Sequence, residues 1–154
     1  MTAEQAAELR ALIARQRVLA LGVVVEESPY VGLLPYALGD DHATLLVHAS
    51  KLARHTQGLL PGAEFAALIH EGDRDDGDPL QLRRATLHGR VVPLARDTGL
   101  YLEARDRYLA RLPTAAVTFQ LGDFALFALH VESGRYIGGF AQAVDVRAAD
   151  LRDG

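Results

Sequence analysis

The sequence predicts a mainly β (α+β) fold, an antiparallel barrel with helices on its outside and ends, and three observations carry that expectation. Short β-rich apolar runs recur, over residues 18–25, 30–38, 43–48, 64–70, 80–94, 125–131 and 136–140, with turn residues between them. Only two or three helical patterns are set among these runs. Few neighbouring runs have a helix between them, which disfavours a doubly wound parallel sheet and suits a small barrel closed on itself.

Taken in order, Thr2 and Gln5 have the spacing of a capping box, and Ala6, Leu9, Leu12 and Ile13 follow at helical intervals, which predicts an amphipathic helix over residues 3–16. The apolar run 18–25 and the run 30–38 read as a hairpin turned by Glu26-Glu27-Ser28-Pro29. Pro35 lacks a ladder donor, so its strand should be an edge or be bulged there. Gly39 to His42 make a turn, and strand 43–48 leads into Ser50 as the cap of a short helix reaching about residue 60, ended by Pro61-Gly62. Residues 71–79 form an acidic loop too polar to pack, without the spacing of a calcium loop. Strand 80–94 should kink at Gly89, and Asp97 or Thr98 should cap a helix running to about Arg111. Residues 117–119 are short or irregular, and a last hairpin turns around residues 132–135 before a polar tail.

The junction at residues 47–56 is the candidate site. A strand that hands over to a helix beginning at a serine leaves backbone N–H groups and the positive end of a helix dipole free for an anion. Lys51 and Arg54 add charge nearby. In the strand carrying Arg83 and Arg84, neighbouring side chains point to opposite faces, so one arginine can reach the same anion, which these groups would suit to be the phosphate of a cofactor.

Composition sets the bounds. A chain of 154 residues with 49% hydrophobic content reads as one domain, residues 1–154, able to bury a core. No apolar run is long enough to span a membrane and no signal peptide is evident, so a cytoplasmic location is expected. The absence of cysteine removes thiolate metal sites and thiol nucleophiles. A net charge of −4 and no Trp argue against a nucleic-acid surface. The six histidines have no metal-binding spacing, and neither a Gly-x-Ser-x-Gly elbow nor a Gly-x-Gly-x-x-Gly turn occurs. No metal is expected, and no catalytic residue is assigned.

Pro35-Tyr36, Ser50-x-Leu52-Ala53-x-His55-Thr56, Arg84-x-Thr86-Leu87-x-Gly89, Tyr108 to Pro113, Asp123-Phe124 and Gly138-Gly139-Phe140 together resemble the pyridoxamine-phosphate-oxidase-like, FMN-binding split-barrel superfamily, in its haem-utilisation branch. The resemblance covers roughly residues 15–145. It implies an antiparallel split β-barrel with flanking helices, and a homodimer holding FMN at the subunit interface. Flavin-ring contacts would come from Leu33, Leu34, Pro35 and Tyr36. The phosphate site would be Ser50, Lys51 and Arg84, with His48, Ala49 and His55 nearby. The activity implied is that of an oxidoreductase on a small-molecule substrate. The alternative is a haem-binding module without flavin redox chemistry. Gly32 stands where pyridoxamine phosphate oxidases carry an arginine, and no histidine follows His130, although haem-degrading members carry one in a C-terminal extension.

Overall fold

The computed structural model describes residues 1–152. Helix α1 (Ala3–Arg15) begins on the predicted reciprocal cap: the Gln5 amide donates to the Thr2 hydroxyl at 3.1 Å, and the Thr2 amide donates to the Gln5 side chain at 2.8 Å. Its predicted stripe of Ala6, Leu9, Leu12 and Ile13 is buried against the barrel. The strands are β1 (Val18–Val25), β2 (Ser28–Pro35), β3 (Ala37–Leu38), β4 (Thr44–Ser50), β5 (Glu64–His70), β6 (Arg84–Leu94), β7 (Phe124–Ile137) and β8 (Ala143–Arg147). They form one antiparallel sheet in the order β2-β1-β5-β6-β7-β4-β3, with β8 on the end of β7.

The curvature encloses an apolar barrel core in which Leu21, Leu45, Val47, Ala67, Leu87 and Leu129 are fully buried. A second apolar cluster lies outside, between the sheet and α2 (Gly99–Arg111), where Leu46, Leu126 and Ala128 meet Tyr101, Ala104 and Tyr108. Thr98 is the α2 cap, its hydroxyl accepting from the Tyr101 amide at 3.2 Å.

Several expectations change. The predicted strand 30–38 is two strands: β2 pairs with β1, whereas β3 pairs with β4. Pro35 therefore ends an edge strand, as its missing donor requires, and Tyr36 alone carries the chain between the two ends of the sheet. The predicted hairpin around residues 132–135 is instead one continuous strand. Gly134 serves close packing there, not a turn: a Cβ on it would lie 2.5 Å from the Thr86 carbonyl oxygen. The turn comes later, at residues 138–142, where Gly139 (φ 152°) and Ala141 (φ 59°) supply the left-handed backbone. Strand β6 starts at Arg84 because Pro79–Gln81 form a 3-10 turn capped by Asp78. The kink at Gly89 is a bulge, with the register of β6 against β7 shifting between His88 and Gly89. Residues 117–119, expected to be short or irregular, belong to a one-turn helix, α3 (Ala116–Phe119); part of the predicted tail is helical, α4 (Ala148–Leu151), and the rest lies outside the described residues.

Candidate functional site

The helix predicted after Ser50 is a 3-10 turn, Arg54–Gly58, whose N-cap is Ala53. Five residues give no α-helical dipole, so the anion site loses the part of its rationale that rested on one. Ser50 is the last residue of β4. Its hydroxyl accepts from the Leu52 amide at 3.1 Å and donates to the Asp123 carboxylate at 3.4 Å. The Thr56 hydroxyl donates to the Ser50 carbonyl at 2.6 Å and folds the turn back. Lys51 is exposed. His55 lies half-buried over β2, where a Cβ on Gly32 would come within 2.7 Å of its Nδ1. That contact accounts for the glycine at position 32: the space belongs to the imidazole. Burial lowers the His55 pKa.

Arg84 does not join this group within one chain. The register sets Ser50 opposite Phe124 and Arg84 opposite Ile137, the two ends of β7. The Arg84 guanidinium donates instead to the carbonyls of Leu82 at 2.9 Å and Leu80 at 3.3 Å. The cation near Ser50 that sequence reasoning missed is Arg96, which donates to the Phe124 carbonyl at 2.9 Å. Its position just past the end of β6 was the available signal, since β6 and β4 both pair with the same end of β7.

The remaining predicted residues divide by face. Leu33 and Pro35 are exposed on β2, whereas Leu34 and Ala49 point into the barrel. Tyr36 is buried, its hydroxyl donating to the Ile13 carbonyl at 2.6 Å. Burial pushes its pKa well up. His48 lies beneath α2, stacked on Phe119 with 3.8 Å between ring centroids and near Tyr108 and Phe124. Its Nδ1 is 3.3 Å from the Thr118 hydroxyl, and Nε2 has no partner among the described residues. Burial, helped by the nearby Arg96 charge, lowers its pKa to about 4. Burial likewise pushes Tyr108 up to about 12. His48 is thus a neutral core residue at pH 7.

Two cavities flank the loop after β3 and adjoin at Gly39 and Arg107. One, of about 460 Å3, lies between the end of α1, residues 36–39 and α2, and carries Arg107 and Arg111. Arg111 caps α1, donating to the carbonyls of Ala14, Arg15 and Gln16 at 2.9–3.2 Å. The other, of about 270 Å3, has Leu46, Val92 and Ala128 as its floor and carries His130, Asp40 and Glu103. Arg107 forms the partition, donating to the Gly39 carbonyl at 3.0 Å and pairing with Glu103 at 3.6 Å. The second cavity thus combines apolar side chains with one imidazole, two carboxylates and the Arg107 guanidinium, and offers a mixed polar and apolar lining to a small molecule. Sequence reasoning passed over Arg107 because nothing local distinguishes it from the other arginines of α2.

No protein-family model matches the chain. Known structures do. A Clostridium acetobutylicum protein related to general stress protein 26, of the pyridoxinephosphate oxidase family, superposes with a TM-score of 0.69 at 12% identity, covering 96% of each chain. The fold is the pyridoxamine-phosphate-oxidase-like split barrel. In sequence the chain resembles a protein of haem utilisation. It is 25% identical over 148 residues to haem oxygenase HutZ of Vibrio cholerae, spanning 95% of this chain and 83% of HutZ. The HutZ crystal structure, described as a haem storage protein, gives a TM-score of 0.71 at 22% identity over 82% of this chain and 89% of that one. A haem binding protein from Mycobacterium smegmatis gives 0.81 at 23% identity over 96% of this chain, which spans only 58% of that longer protein. In this split barrel the seam between the two ends of the sheet lies at Pro35 and Tyr36.

Proposed function

We propose that the chain is a haem-binding split barrel that takes up and holds haem, acting in the cytoplasm. The observation that carries this reading is the likeness to HutZ along 95% of the chain. His130 and Arg107, which line the cavities beside α2, are side chains of the types that ligate iron and bind carboxylates. When bound, haem would supply the redox-active iron; the chain's own residues supply orientation and an apolar surface. Titrating ferric haem into the purified protein tests the reading. A shifted Soret band that saturates at one haem per chain is expected, and no shift at micromolar protein would overturn it.

A second reading, an FMN-binding oxidoreductase acting on a small-molecule substrate, is favoured by one observation. The edge strand β2 leaves Leu33 72% exposed beside Pro35, next to the Ser50–Lys51 turn. In that reading the ring lies along Leu33 to Tyr36, and the phosphate meets Ser50, Lys51 and, within one chain, Arg96. Arg84 would reach it only from a second copy. The outer face of β1, β2 and β5 exposes Val24, Val31, Leu33 and Leu68, an apolar surface suited to a homodimer. Absorbance near 450 nm after adding FMN, compared with the haem titration, separates the two cofactors.

A further inference from the structure

We infer that residues 113–123 are a cover released by acid: protonation of His48 beneath the segment detaches it and frees the Ser50 hydroxyl from Asp123. The device works whichever cofactor the chain takes. Between Leu112 and Phe124 the chain makes a 3-10 turn (Pro113–Ala115), α3 and a further turn, and none of these residues is buried. Val117 is 66% exposed and Leu121 45%. A stretch that buries so little apolar surface depends on the few groups that tie it to the barrel.

His48 is central to those ties. Phe119 lies flat on its imidazole, 7° from parallel, and Thr118 meets Nδ1 at 3.3 Å. The Thr118 hydroxyl donates to the Ala115 carbonyl at 2.9 Å, so toward His48 it can only accept. Nδ1 therefore carries the proton of the neutral ring. Nε2 is a bare lone pair, buried and without a partner among the described residues. An added proton must go to Nε2, where it creates a donor and a positive charge that face no acceptor. The face of Phe119 attracts a cation, but the new N–H points along the plane of the imidazole and away from that face.

The other walls give the charge no relief. Tyr108 of α2 stands edge-on to the ring, and its phenol, pushed up to about 12, is neutral. Phe124 of β7 lies at a tilt on another side, and Arg96, beyond the end of β6, opposes a second positive charge. The Asp123 carboxylate is engaged by the Ser50 hydroxyl. An imidazolium here needs water, and the wall that can yield is the segment with no buried residue. Its far end holds the Ser50 turn: the Lys51 amide donates to the Asp123 carbonyl at 2.6 Å, and Arg96 donates to the Leu121 carbonyl at 3.4 Å. While the cover is closed, a carboxylate sits on Ser50 beside Lys51 and disfavours an anion there. Release removes that carboxylate and leaves the Ser50 hydroxyl and the Lys51 ammonium open to one.

Hydrogen exchange of the full chain at pH 7 and pH 5, corrected for the change in intrinsic rate, tests the release. A one-turn helix does not persist once detached, so the amides of residues 113–122 and of Lys51 exchange at each opening. They should exchange faster than β5 at both pH values. Their opening should rise about twentyfold from pH 7 to pH 5, the factor for a ring that titrates at about 4 when covered and at an ordinary 6.5 when freed. In His48→Phe the rise should disappear. In Phe119→Ala, which uncovers the imidazole, exchange at pH 7 should be faster than in the parent and the rise smaller. Exchange of 113–122 no faster than that of β5 would mean that the segment leaves only with the whole fold, and a twentyfold rise kept in His48→Phe would put the proton elsewhere; either result overturns the inference. Opening of 113–122 with Lys51 still protected would overturn the release of Ser50.

Discussion

Acid should destabilise this protein through His48, and the size of the effect follows from its burial. The imidazole is packed between aromatic rings beneath α2, and its folded-state pKa is about 4 against an ordinary 6.5. A base whose pKa is depressed by folding binds its proton more readily in the unfolded chain. Stability contributed by the neutral ring is therefore complete above pH 6.5 and is lost as the pH falls toward 4. Working the two titrations through, the loss between pH 7 and pH 5 is about 2 kcal/mol. Urea unfolding at pH 7, 6 and 5 measures it. In His48→Phe the flat ring still stacks on Phe119, the unpartnered Nε2 is gone, and this share of the pH dependence should vanish. At pH 7 the variant should be as stable as the parent or slightly more so, because a buried donor or acceptor without a partner costs about 1–3 kcal/mol. If His48→Phe loses stability with the same pH slope as the parent, His48 is not the group that acid protonates. His55, also lowered by burial, acts in the same direction, and it remains in both proteins, so the comparison isolates His48.

Other substitutions probe the frame of the site. Tyr36→Phe leaves the Ile13 carbonyl without its 2.6 Å donor and should cost about 1–2 kcal/mol, read as a lowered urea midpoint with an unchanged slope; a loss below about 0.5 kcal/mol would mean that water replaces the hydroxyl. Gly32→Ala should displace His55 and cost about 1–2 kcal/mol, most of it recovered in a double variant with His55→Ala; an additive double variant would place the two residues out of contact. Gly134→Ala drives a Cβ toward the Thr86 carbonyl and should cost at least about 2 kcal/mol, which thermal unfolding will show; a neutral outcome would contradict the continuous β7 strand. Arg84→Ala should leave FMN affinity unchanged in a monomer, since Arg84 lies at the far end of β7 from Ser50, and should weaken FMN only where a second copy completes the site.

Much of the frame was legible because it rests on local chemistry. The Thr2–Gln5 cap, the α1 stripe, the edge at Pro35 and the bulge at Gly89 each follow from what one or two residues can and cannot do. Positions that depend on distant partners were not legible. Gly134 looks like a turn residue until β6 is known to run tightly beside it, and Ser50 looks like a helix cap until Asp123 is seen to hold its hydroxyl. The pairing of Arg84 with a phosphate failed within the chain for the same reason: strand alternation tells which face a side chain takes, but not which end of the sheet it occupies. Arg107 and His130 come together only because α2 lies across β4, β6 and β7, an arrangement set by packing rather than by spacing along the chain.

Tyr36 makes the two borders of the sheet consecutive in sequence, so the cylinder is joined by a peptide link where other strands are stitched by ladders. Along that gap the halves are held by side-chain contacts, by the Tyr36 hydroxyl on Ile13 and by its amide on the Arg17 carbonyl. Widening the mouth there breaks no inter-strand ladder, and its cost is packing and the two Tyr36 hydrogen bonds. The seam lies beside the 460 Å3 chamber, so the residue that joins the two borders of the sheet is also part of that chamber's wall.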